Sequence, residues 1–96
     1  MRIDFHPEAT RELEDSFDWY AARSPAAARG FALAVDASLR KIGDNPERFP
    51  GIDRRHQTSS VERYPFQVVF RNDGDRIYIV AIAHAKRRPG YWRDRI

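Results

Sequence analysis

From Arg76 to His84 the chain is apolar on both parities: Ile77, Ile79, Ala81 and Ala83 alternate with Tyr78, Val80, Ile82 and His84. Successive side chains of a strand point to opposite faces, so a strand of this pattern has no solvent side. It belongs in the middle of a sheet. Just before it, Phe66 to Arg71 reads as a second strand, and Asn72-Asp73-Gly74-Asp75 between them carries the Asp-Gly pair that suits a tight turn. The first expectation is therefore a β-hairpin whose second strand is central, and the rest of the chain has to cover it.

The N-terminal half supplies cover. Arg2 to Phe5 alternates polar and apolar residues as a short strand does. Pro7 fits the first turn of a helix, where a missing N–H costs nothing, and Glu8 sits near the positive end of the helix dipole. Ala9, Leu13, Phe17 and Tyr20 then share one stripe at helical spacing, which predicts a core face, whereas Trp19 points about 120° away from its centre. Ser24-Pro25 provides a cap and a fresh start, so a second helix folds back on the first as a hairpin. Its stripe is Ala27, Phe31, Val35, Ser38 and Ile42, with Leu39 at the margin and Leu33 pointing elsewhere. Gly43 and Asn45-Pro46 stop it. Asp44 to His56 reads as a loop, and Gln57 to Arg63 as a polar strand. The expected fold class is α+β: an N-terminal strand, a helix hairpin, then a three-stranded, mostly antiparallel sheet, in the order β-α-α-β-β-β. With 96 residues there is room for one domain, residues 1–96.

Several function classes drop out on composition. Without cysteine there is no disulfide framework and no thiolate metal site, which fits a reducing compartment. No apolar run approaches the roughly 20 residues of a membrane span, and Met1-Arg2-Ile3-Asp4-Phe5 lacks the apolar core of a signal peptide. A cytoplasmic protein without membrane contact, cofactor or metal is expected. Charge is unevenly spread: residues 1–48 carry 7 Lys/Arg against 9 Asp/Glu, and residues 49–96 carry 10 against 5. A basic C-terminal half suggests either a face for an anionic partner or a solvated basic surface.

The basic residues concentrate at the end. His84 to Arg95 holds Lys86, Arg87, Arg88, Arg93 and Arg95 with Tyr91 and Trp92, against the single acid Asp94. Adjacent cations such as Lys86-Arg87-Arg88 repel one another and gain most when an anion is present. Phosphate- or target-binding candidates are therefore Lys86, Arg88, Trp92 and Arg95, with Arg54, Arg55 and His56 from the loop.

Five landmarks in order bring a family into view: the strand-first start, the helix hairpin broken at Ser24-Pro25, the loop Asn45-Pro46-Glu47-Arg48-Phe49-Pro50-Gly51, the strand entry Arg63-Tyr64-Pro65-Phe66, and the ending His84-x-x-Arg87-Arg88-Pro89-x-Tyr91-Trp92-x-x-Arg95. Over nearly its whole length the chain resembles the RelE/ParE family of bacterial toxins. The resemblance implies the toxic member of a type II toxin–antitoxin pair, silenced by a cognate, ParD-like antitoxin that wraps around it in a hetero-oligomer. Operator DNA would then be met only through the antitoxin. Trp19 and Leu33, each off its own helix's core stripe, are the apolar side chains such a wrapping segment would cover.

The family splits over the target. RelE-like members cut messenger RNA in the ribosome, and ParE-like members inhibit DNA gyrase without hydrolytic chemistry. Metal-free RNA cleavage needs a base, an acid and fixed positive charge at the phosphate. By resemblance, Arg63 and Arg87 fall where RelE-like toxins keep phosphate-binding cations. His84 titrates in the right range, and Tyr91 would serve if neighbouring cations lowered its pKa, with Glu62 and His56 in reserve. Each has a structural alternative: His84 as a strand-end hydrogen-bonding group, Arg63 as decoration of a sheet edge, Tyr91 and Trp92 as a cap folded onto the core. Gyrase inhibition asks only for a binding surface, and the Arg-rich, lysine-poor surface with ParE-like tail spacing favours it. A third reading is a relic that binds antitoxin and has lost toxicity.

Overall fold

The computed structural model describes residues 2–96. Strand β1 (Arg2–Phe5) leads to helix α1 (Pro7–Ala21), helix α2 (Pro25–Asp44), a 3-10 turn at Pro46–Arg48, and strands β2 (Gln57–Ser60), β3 (Phe66–Asn72) and β4 (Arg76–His84). Pro7 and Pro25 stand in the first turns of their helices. Ser24 Oγ caps α2 by accepting from the Ala27 N–H at 3.2 Å, and the His6 ring caps α1 by accepting from the Glu8 N–H at 3.0 Å.

The sheet runs β1-β4-β3-β2, which puts β4 in the interior as its apolar faces require. β3 pairs antiparallel with both β4 and β2. β1 adds to β4 in parallel, Arg2 opposite Arg76 and Phe5 opposite Ile79, so the sheet has four strands where three were expected. Ile3 and Phe5 pack against the core from there.

A bulge redistributes the faces of β4. Val69 lies opposite Ala81 and Phe70 opposite Ile79, which leaves Val80 as an extra residue. Strict alternation therefore holds up to Val80 and inverts beyond it. Ile77, Ile79 and Ile82 face the helices with Phe66, Val68 and Phe70, whereas Tyr78, Val80, Ala81 and Ala83 share the outer face with Val69. One inserted residue moves every later side chain to the other side.

On α2 the buried stripe is Ala28, Phe31, Val35, Ser38 and Ile42; Ala27 is only half-buried. On α1, Ala9 is buried and Leu13 and Tyr20 pack on the core, but Phe17 is 38% exposed, against expectation. It borders an open groove between the helices, lined from α2 by Ala32, Val35, Asp36 and Leu39. β2 stops at Ser60 rather than Arg63. The Tyr64 N–H closes a turn on the Val61 carbonyl at 3.2 Å, with Arg63 at φ 72°, a conformation that ends the strand. The Tyr64 hydroxyl donates to the Ala27 carbonyl at 3.0 Å, and it passes so close to Gly30 that a Cβ there would collide with it.

Candidate functional site

Beyond His84 the chain crosses the outer face of the sheet. Trp92 is 4% exposed and packs with Val69, Tyr78, Val80, Ala81 and Ala83, closing the second apolar side of β4. Burial of a side chain this large dominates the attachment of the segment. Polar contacts then fasten it in three places.

The first lies at the strand edge. β1 pairs with β4 only as far as Ile79. Beyond it, Glu12 of α1 accepts from the Ile82 N–H at 3.0 Å and Arg95 donates to the Val80 carbonyl at 3.1 Å. Glu12 also takes both Arg95 Nη atoms at 3.0 and 2.9 Å and the Tyr91 hydroxyl at 2.7 Å. The Glu12 and Arg95 side chains are 14% and 15% exposed, so this is a largely desolvated, well-satisfied pair.

Asp53 makes the second fastening. It accepts from the Arg55 and His56 N–H groups at 2.8 Å each, from His56 Nδ1 at 2.9 Å and from Arg93 Nε at 3.3 Å. Burial by itself would raise its pKa, but these four donors hold the carboxyl well below the usual carboxylate range. His56 is 4% exposed, with its ring 4.7 Å from that of Trp92 and its Nε2 buried without a hydrogen-bond partner among the described residues. In the third place, Arg71 Nη1 and the Tyr78 hydroxyl donate to the carbonyls of Arg95 and Ile96 at 3.2 and 3.4 Å.

These contacts decide which candidates face solvent. Trp92, His56 and Arg95 are committed to the fold, because each is buried or paired inside it, and they are not free to meet a phosphate. Tyr91 is not an activated base either. Burial first, then its hydrogen bond to the Glu12 carboxylate, push its pKa above the ordinary tyrosine range, and these outweigh the opposing pull of Arg87 and Arg95. The lowering expected from its cations is thus overturned. His84 ends β4, its Nδ1 accepting from the Lys86 N–H at 3.0 Å and its ring edge-on to Phe66 at 4.9 Å. In the neutral ring that bond leaves the proton on Nε2.

Lys86, Arg87, Arg88, Arg54 and Arg55 are exposed. The Arg87 guanidinium lies 3.9 Å from the centre of the Tyr91 ring. With Arg88 and Arg93 it borders a groove of about 280 Å³ on the outer face, floored by Thr58, Gln67, Val69 and Ala83 and open to His84. Arg63 is elsewhere: with Glu62 and Leu33 it lines a different groove, between α2 and the Val61–Tyr64 turn. Of the proposed catalytic set, His84, Arg87 and Tyr91 therefore line one groove and Arg63 lies apart from them. Trp19 and Leu33 are 53% and 69% exposed. Trp19 borders a third groove with Tyr20, Pro65 and His84, and Arg23 covers its ring at 3.6 Å. Among the described residues no cluster of His, Asp or Glu is arranged to hold a metal ion. No helix is long and apolar enough to cross a membrane.

Glu12, Asp53 and Arg93 were not legible as site residues. Glu12 falls off the apolar stripe of α1, and its partners are 70 to 83 positions away in the chain.

Residues 3–89 match the family described as ParE toxin of type II toxin-antitoxin system, parDE. Among solved structures, a chain from the chromosomal ParDE TA system of P. aeruginosa is similar in fold, with a TM-score of 0.76 at 21% identity, over 90% of this chain and 97% of that one. No curated protein matches the sequence.

Proposed function

The chain belongs to the family of ParE toxins of type II toxin–antitoxin systems, and from that premise we propose that it is a cytoplasmic toxin that inhibits DNA gyrase by binding it. A cognate antitoxin holds it silent. What supports inhibition over messenger RNA cleavage is the fate of Tyr91: its hydroxyl is spent on Glu12 at 2.7 Å, and its pKa is raised rather than lowered. Arginine stays protonated, so Arg63 and Arg87 supply charge but no proton transfer. Of the remaining acid–base candidates, His84 lines the groove of Arg87 and Glu62 lies with Arg63 in another, so the two are not brought together, and a single such group makes a poor nuclease. A binding surface needs none of this.

The test is induction of the chain in a bacterial host without antitoxin, with primer extension on a translated message and plasmid topology read from the same cells. Growth arrest with intact message and relaxed or cleaved plasmid is the expected result. New codon-phased message ends with normal supercoiling would make it an mRNA interferase, and unimpaired growth would make it a relic.

A further inference from the structure

We propose that the groove bordered by Arg87, Arg88 and Arg93 docks an extended acidic segment of a partner protein, glutamate- or aspartate-rich. The inference rests on the reading of a protein target given above and names the chemistry of its contact.

Charge comes first. Among the described residues lining this groove there are three arginines and His84 and no carboxylate. Arg93 gives one nitrogen to Asp53 at 3.3 Å and its side chain stays half exposed; Arg87 and Arg88 have no ion-pair partner among the described residues. A one-signed cleft focuses its field and favours an anion.

Preorganisation comes next. The Arg87 guanidinium sits over the Tyr91 ring, 3.9 Å from its centre, and that ring is held by Glu12. The guanidinium therefore meets a partner already oriented, with its planar fork matched to a carboxylate and less side-chain entropy left to lose. The floor adds little polarity of its own, since Thr58 Oγ1 donates to Gln67 Oε1 at 2.7 Å and Gln67 Nε2 donates to Ser60 Oγ at 2.9 Å.

A protein segment is favoured over single-stranded nucleic acid by the aromatic rings. Binding of single strands depends on exposed ring faces on which bases stack. Here Arg87 occupies the face of Tyr91, and Trp92 is 4% exposed. The groove offers charge without a stacking platform.

The experiment follows backbone amide shifts of the ¹⁵N-labelled chain while it is titrated with a short synthetic peptide alternating glutamate and serine, and separately with a single-stranded RNA of equal net charge. Shifts confined to His84 through Arg93 with Thr58 and Gln67 are expected for the peptide, with weaker, scattered shifts for the RNA. Substituting Arg87→Gln and Arg88→Gln together, at exposed positions whose loss leaves the folded spectrum intact, should weaken the peptide about tenfold or more. Peptide shifts elsewhere, an unchanged affinity in the double variant, or tighter RNA binding in the same groove overturns the proposal. Gyrase assays separate the two readings. If the native chain inhibits supercoiling and the double variant inhibits equally, the groove proposal fails while gyrase inhibition stands. If the peptide fills the groove and the native chain leaves gyrase untouched, the groove stands and gyrase is the wrong target.

Discussion

The Glu12 carboxylate holds donors from β4 and from the C-terminal segment at once, and neutralising it leaves them with unequal losses. The Ile82 N–H and the Tyr91 hydroxyl sit on different oxygens of Glu12, so an amide, with one oxygen and one NH2, keeps an oxygen acceptor for only one of them, and the largely buried Arg95 loses its counter-charge. Removing one partner of a buried ion pair costs roughly 3–5 kcal/mol, and partial exposure of this pair trims that to ~2–3 kcal/mol. Glu12→Gln should therefore lower the melting temperature by roughly 8–24 °C in a domain of this size. Calorimetric melts of the two proteins give the answer; a shift of a degree or two would mean that the C-terminal segment is held by Trp92 alone. Nothing within the α1 sequence announces this role. Helical spacing places Glu12 off the apolar stripe, whereas in the structure its side chain is 14% exposed and bonded to β4, and these partners join it only once β4 and the tail have folded beside the helix. Trp92 was legible as a residue able to cap the core, because a large apolar ring after Pro89-Gly90 has more to gain from burial than from solvent. His56 was not legible as buried, since its neighbours Arg54 and Arg55 read as a solvated loop.

At the scale of elements, strand and helix patterns were largely readable because they are local. The central position of β4 follows from its two apolar faces, and the helix starts follow from Pro7, Ser24 and Pro25. The bulge at Val80 was hidden, because an extra residue within an unbroken apolar run changes no pattern and shows only in the pairing with β3. Phe17 was misplaced for a related reason: its spacing on α1 is right for the core, but α2 leaves an open groove beside it. The helices thus present apolar surface on their solvent side, Phe17 in the inter-helix groove and Trp19 and Leu33 on either flank. An amphipathic antitoxin segment is the partner that such surface suits. Trp19 is 53% exposed, its ring against Tyr20 and Arg23 at 5.2 and 3.6 Å, so its loss should spare the fold. Trp19→Ala is expected to weaken antitoxin binding by tenfold or more, in the range of about 2 kcal/mol for an interface aromatic. Equal affinities by titration calorimetry, with unchanged circular dichroism, would remove Trp19 from the interface.

The whole molecule sorts its surfaces by chemistry. Acidic and apolar side chains line the groove between the two helices, and arginines line the groove on the outer face of the sheet, with β4 and the Glu12 network joining the two. A silencing partner and a target would in that case use different faces, and the basic C-terminal half first noticed in the sequence is spent partly on the fold, through Arg71 and Arg95, and partly on the groove, through Arg87 and Arg88. Under the proposed function this chain acts by holding a protein rather than by cutting RNA. Purified gyrase, relaxed plasmid, ATP and increasing amounts of the isolated chain test it most directly. Supercoiling that falls with concentration is the predicted result, and full supercoiling at a large excess of folded chain would contradict it.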